Sequence, residues 1–148
     1  MNLKKTYNSF VQSLQKLKDL PPLFMRIILA IGFYGPAMMK LKNFNNIVEW
    51  FGSIGIPFPT LNAYLATTTE TLGFVLLFLG LGTRIIAIPL MITMVVAIVT
   101  VHLGHGFEAG NNGFEIPLYY FIMLFTLLIY GSGKYSLDYL LNKNKKLI

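Results

Sequence analysis

Apolar residues fill four stretches of the chain with no regular alternation of polar positions. These stretches cover residues 23–41, 61–81, 85–103 and 114–130. Each approaches the roughly 20 residues that a helix needs to cross about 30 Å of hydrocarbon. A spanning segment must satisfy its own backbone hydrogen bonds, and the lack of alternation disfavours a barrel. The pattern therefore predicts an all-α polytopic membrane protein with a four-transmembrane-helix bundle.

Shorter amphipathic segments flank these stretches. Residues 43–53 mix aromatic and polar side chains, which predicts a short interfacial helix between spans 1 and 2 with Trp50 at headgroup depth, or else an irregular loop. In residues 1–21, apolar side chains recur every three or four positions, which predicts an amphipathic cytoplasmic helix and not a cleaved signal peptide. Residues 22–140 then form the membrane domain, and residues 141–148 form a basic cytoplasmic tail. A short helix is expected to begin near Ser136 and Asp138.

Composition narrows the class of protein further. The chain has 148 residues, enough for one domain, and 12% of them are charged, whereas soluble domains carry about a quarter. The sequence contains no cysteine. That excludes disulfides, thiolate metal sites and cysteine-ligated iron–sulfur clusters.

The charge pattern favours a membrane protein over a nucleic-acid binder. The net charge is +6, but the lysines cluster at the two ends of the chain. With both termini in the cytoplasm, the inner side also carries Arg26 and Arg84, and the outer side carries only Lys40 and Lys42. The positive-inside rule therefore predicts cytoplasmic termini.

Glu70 is an acidic residue near the middle of the second apolar stretch. A carboxylate at that depth is costly unless it is paired, hydrated or protonated, so it should face the bundle interior. Small residues at helical spacing along the same face, including Ala66 and Gly73, would let a neighbouring helix approach. The functional interpretation is a proton-carrying or substrate-binding carboxylate. The alternative is an ion pair with Arg26 or Lys40 that fixes the packing.

Arg26 and Lys40 lie fourteen residues apart on the first span, which puts them on nearly the same helix face. They are predicted to hold an anionic substrate or a quinone carbonyl, or else to extend towards lipid headgroups. At the outer end of the bundle, His102 is predicted to bind substrate or relay protons, with Glu115 beside it. A metal site that also uses His105 and Glu108 is a weaker interpretation, as is a solvated loop. Tyr119, Tyr120 and Tyr130 are predicted to be interfacial anchors.

The order of these features resembles the DoxX family of small four-helix membrane proteins. The resemblance covers residues 22–140. It rests on the charged positions Arg26, Lys40 and Glu70, on the segments at 55–59, 79–84 and 131–138, and on a third span ending in His102 that is followed by Gly106, Gly113 and Glu115.

The resemblance implies a bacterial inner-membrane protein linked to oxidoreductase chemistry. Members of the family include a subunit of a thiosulfate:quinone oxidoreductase and proteins of quinone and catechol stress responses. No catalytic set is carried over from the family, and an enzymatic activity is expected through the resemblance only.

Three hypotheses follow from the sequence. The first is a membrane redox component that engages a quinone or a small oxidisable substrate together with soluble partner proteins. In it Glu70 accepts protons, Lys40 and Arg26 hold the substrate, and His102 and Glu115 line the outer mouth. The second is a non-enzymatic scaffold or accessory subunit. The third is a small anion transporter, which would require a homo-oligomer.

Overall fold

The computed structural model describes residues 3–145, and within them it contains helices and turns but no strand. Its α-helices are α1 Leu3–Gln15, α2 Leu20–Lys42, α3 Phe44–Ser53, α4 Pro59–Leu79, α5 Thr83–Ala97, α6 Glu115–Tyr130 and α7 Leu137–Lys145. A π-helical turn, Ile98–His102, and a 3-10 turn, Leu103–His105, continue from α5. The predicted all-α class is confirmed.

Proline and glycine set the ends of the long helices. Pro21 and Pro22 occupy the first turn of α2, where the missing N–H groups cost nothing. The connection from α4 to α5 is tight, and Gly80 and Gly82 both adopt positive φ there, at 67° and 58°. Glycine adopts this conformation without the steric penalty that other residues incur.

The core lies between α2, α4, α5 and α6. Its fully buried members come from all four helices and include Leu29, Leu77, Leu90 and Leu124. The α4 and α5 helices approach closely at Gly73, where an added Cβ would lie 2.8 Å from Leu90 Cδ2. A second, smaller cluster joins α3 to the start of α4 through Ile47, Phe51, Ile56 and Ala63.

The outer faces of these helices are strongly apolar. Large side chains are more than half exposed along all four, for example Ile31 on α2, Phe78 on α4, Ile85 on α5 and Ile129 on α6. Two segments, Leu20–Lys42 and Thr83–His105, are long and apolar enough to cross a membrane. The α6 helix is apolar but shorter. A continuous exposed apolar surface of this extent is typical of contact with lipid.

Helices appear where the apolar stretches predicted them, with shifts at their ends. The third stretch changes from α-helix to the π-helical turn at Ile98, and the amphipathic N-terminal helix ends at Gln15 instead of continuing to residue 20. The segment predicted to be interfacial and the predicted terminal helix are both helical, as α3 and α7. The predicted N-terminal segment and basic tail lie partly outside the described residues, at positions 1–2 and 146–148.

Candidate functional site

A cavity of about 630 Å³ opens between α2, α3, α4 and the α5–α6 region. Apolar and aromatic side chains form most of its wall, among them Phe33, Met39, Trp50, Ile92 and Tyr120. Sites for small molecules usually have this size and a mainly apolar lining with a few placed polar groups. The polar groups here decide what the cavity can hold.

Lys40 and Glu70 form an ion pair in the wall of this cavity. Lys40 Nζ donates a hydrogen bond to Glu70 Oε2 at 2.8 Å, and the two side chains are only 11% and 5% exposed. Lys40 lies near the end of α2, whereas Glu70 lies midway along α4. Because Cβ atoms tilt towards the helix N-terminus, the Lys40 side chain starts inward from the end of its helix, towards Glu70.

His102 lines the same cavity from the end of the π-helical turn. Its Nδ1 lies 2.7 Å from the carbonyl oxygen of Asn112. A carbonyl oxygen can only accept, so this hydrogen bond requires the proton on Nδ1 and leaves Nε2 as an acceptor in the neutral ring.

The histidines do not form a metal centre with the nearby acids. His105 Nδ1 lies 3.0 Å from the carbonyl oxygen of Val101, its own helical turn, while His102 bonds to the following loop. Among residues 3–145, no three His, Asp or Glu side chains are grouped closely enough to hold a metal ion.

Tyr120 is a cavity residue that the sequence interpretation assigned to the membrane interface. Its ring packs edge-on against Phe33 with centroids 5.5 Å apart. Its hydroxyl lies over Gly32, where an added Cβ would overlap it. The available signal was helical spacing, since Tyr120 shares a face with the buried Leu124 and Leu127. Because nearly all residues of α6 are apolar, its sequence does not distinguish the buried face from the exposed face.

Arg26 lies in a different polar cluster, at the opposite end of α2 from Lys40. It is 1% exposed, and its guanidinium donates to the carbonyl oxygens of Tyr135, at 2.5 Å, and Leu77, at 3.4 Å. Gly80 passes so close that an added Cβ would overlap the guanidinium. Asp138 accepts hydrogen bonds from the backbone N–H groups of Gly82 and Thr83, at 2.7 and 3.1 Å, beside this cluster.

Glu115 also lies outside the set of cavity-lining residues. It is the first residue of α6, and its carboxylate accepts hydrogen bonds from Ala109 N at 3.0 Å and from the Tyr119 hydroxyl at 2.9 Å. An acid in a first helical turn interacts favourably with the helix dipole. The arrangement anchors the loop between α5 and α6.

Three of the five predicted site residues therefore meet in one cavity, namely Lys40, Glu70 and His102. Arg26 and Glu115 do not join them. The cavity combines a buried carboxylate that can take a proton, an ammonium group that can donate hydrogen bonds, and an imidazole nitrogen that can accept one.

The exposed apolar faces of its helices are those of an all-helical membrane protein, and comparison with known proteins identifies the family. The DoxX family model matches residues 22–103, more than half of the chain. The protein belongs to the DoxX family, a family of membrane proteins.

Individual relatives agree with this assignment. A protein of Bacillus subtilis named "putative oxidoreductase CatD" is 33% identical over 136 residues, which cover 90% of this chain and 96% of the relative. An uncharacterized protein of Haemophilus influenzae is 33% identical over 129 residues, which cover 82% and 83%. An uncharacterized membrane protein of Mycobacterium tuberculosis is 37% identical over 103 residues, which cover 63% of each chain. No solved structure matches the chain.

Proposed function

We propose that this protein is a membrane redox component that binds a quinone, or a small oxidisable aromatic substrate, in the cavity at Lys40 and Glu70. The observation that carries the proposal is the buried ion pair in the wall of a largely apolar cavity. The apolar wall can pack against an aromatic ring. The polar groups can form hydrogen bonds with the oxygen atoms that a quinone ring carries. The oxidoreductase name of the Bacillus subtilis relative agrees with this chemistry.

The proposal includes four membrane-spanning helices, α2, α4, α5 and α6, in the bacterial inner membrane. The exposed apolar faces of α4 and α6 match those of the two longer candidate spans. The start of α2 and the segment after α6 meet at one end, where Asp19 and Lys134 form an ion pair at 3.5 Å. The terminal lysines favour the cytoplasm for that end.

Proton transfer is the step that the residues of this chain can supply. Oxidation of a quinol to a quinone releases two electrons and two protons. In this proposal Glu70 accepts one proton from the quinol, after which the Lys40 ammonium is free to donate to an oxygen atom of the bound ring. His102 Nε2 is a second acceptor at the same wall. The two electrons pass to a redox group of a soluble partner protein, and reduction of a quinone runs the same transfers backwards.

Trp50 provides a direct test of binding because it is the single tryptophan of the chain and lines the cavity. A water-soluble naphthoquinone should quench its fluorescence in a saturable way in detergent-purified protein. The Ala97→Phe variant places a large ring in the cavity wall and should abolish saturable quenching. Ile88→Phe, on the exposed face of the same helix, is the matched control and should behave as wild type.

Two outcomes would contradict the proposed function. Quenching that rises linearly with quinone concentration, without saturation, would show collision and not binding. Saturable quenching that is equal in wild type and Ala97→Phe would place the quinone outside this cavity.

A scaffold or accessory subunit is the second candidate, and the geometry of the ion pair is what favours it. The 2.8 Å contact of two buried charges joins α2 to α4 and needs no ligand to explain it. If this is its whole role, replacing both residues by apolar ones should preserve partner recruitment. If the pair handles protons, the same double replacement should abolish quinone turnover in membranes while the folded protein accumulates normally.

A further inference from the structure

The α1 helix presents an apolar face that nothing in the described structure covers. None of its residues is buried. Leu3, Tyr7, Phe10 and Leu14 are 78%, 66%, 60% and 50% exposed. The same face continues into the following turn at Leu17, which is 52% exposed.

These residues form one stripe along the helix. They are spaced four, three and four residues apart, which confines them, with Val11, to an arc about 100° wide. The rest of the helix surface is polar. The chain up to residue 18 carries Lys4, Lys5, Lys16 and Lys18 and no acidic residue.

A short connection keeps the end of α1 close to the start of α2. It ends at Gln15, and α2, a candidate span, begins at Leu20. Backbone hydrogen bonds close the turn between them. Asp19 anchors this turn, because its carboxylate accepts a hydrogen bond from Lys134 N at 3.2 Å. The α1 helix therefore ends within one short turn of the start of this candidate span.

We propose that α1 lies along the membrane surface, with its apolar stripe in the acyl boundary and its lysines on anionic lipid headgroups. The charge distribution selects this occupant. A second copy of this segment would bring the two lysines of α1 and the two of the following turn against the same four lysines, whereas an anionic leaflet attracts every one of them. Amphipathic helices with basic flanks and large apolar residues bind membrane interfaces in this way.

Site-directed spin labelling of the full-length protein tests the proposal. The chain has no cysteine, so Val11→Cys and Gln12→Cys give single labels on the stripe and on the opposite face without further changes. In vesicles that contain phosphatidylglycerol, the label at 11 should be accessible to oxygen and protected from a water-soluble nickel relaxant. The label at 12 should show the reverse.

Further changes to the protein or the lipid separate the contribution of the lysine charges from that of the apolar stripe. In the Val11→Cys background, replacing all four lysines by glutamine, or using pure phosphatidylcholine vesicles, should reduce the protection from nickel. Phe10→Ser combined with Leu14→Ser should abolish the protection of the label at 11 from nickel.

Three results would overturn the proposal. Equal nickel access at 11 and 12 in anionic vesicles would put α1 in water. If neutral vesicles and the glutamine variant both keep the protection that the original lysines give in anionic vesicles, anionic headgroups are not the partner. Protection that disappears when the protein is diluted in excess anionic lipid would show that a second copy, and not lipid, covers the stripe.

Discussion

Removing one member of the Lys40–Glu70 pair should destabilise the protein, and the defect that follows the removal of Lys40 should depend on pH. Lys40→Met leaves a carboxylate that is 95% buried with no cation beside it. Glu70→Gln leaves an ammonium group in the same surroundings. Breaking a buried pair in this way typically costs about 3–5 kcal/mol.

Protonation limits the cost of the Lys40→Met change. A stranded glutamate can become neutral, at a cost of about 4 kcal/mol at pH 7 and about 1 kcal/mol at pH 5. The defect of Lys40→Met should therefore shrink as the pH falls.

Thermal unfolding of the purified protein in detergent, followed by Trp50 fluorescence between pH 5 and pH 9, measures both defects. Lys42→Met is the matched control because Lys42 is exposed two residues further along α2. The double variant Lys40→Met/Glu70→Gln should be less destabilised than the sum of the single variants. Additive effects, or a Lys40→Met defect that is the same at pH 5 and pH 7, would refute the pairing.

Three further predictions concern the two ends of the bundle. Gly80→Ala should destabilise the protein more than Gly82→Ala in thermal unfolding, because both have positive φ but only Gly80 contacts Arg26. Equal losses would show that backbone strain alone matters. Asp138→Asn should cost about 1–2 kcal/mol of unfolding free energy, since a carboxylate that accepts two backbone N–H groups is replaced, and an unchanged melting temperature would contradict this. His102→Phe should keep the fold but slow quinone turnover in membranes, and turnover equal to wild type would remove His102 from the proton path.

Much of the fold could be predicted because apolar stretches, prolines and glycines carry strong local signals. The second stretch was expected at 61–81 and is helical over Pro59–Leu79, and the fourth was expected at 114–130 and is helical over Glu115–Tyr130. The π-helical turn at Ile98 was missed because the apolar stretch continues through it with no glycine or proline. The end of α1 at Gln15 was missed because its stripe continues to Leu17 in the following turn.

The candidate site was predictable where a charge interrupts an apolar stretch. Lys40 and Glu70 stand out on that ground alone, although the sequence left open whether Glu70 would meet Lys40 or Arg26. The structure separates these choices, because Arg26 is held at the other end of α2 by carbonyl oxygens. Tyr120 could not be found in the same way, since an aromatic residue in an apolar helix looks alike whether it faces lipid or a cavity.

Native mass spectrometry of the detergent-purified protein tests the central claim most directly, because it weighs what the cavity retains from the membrane. Wild type should carry a quinone, Ala97→Phe should carry none, and the Lys40→Met/Glu70→Gln double variant should carry less than wild type. Phospholipid alone, in equal amounts on all three proteins, would contradict the account and would leave the Lys40–Glu70 pair as a packing element of a scaffold.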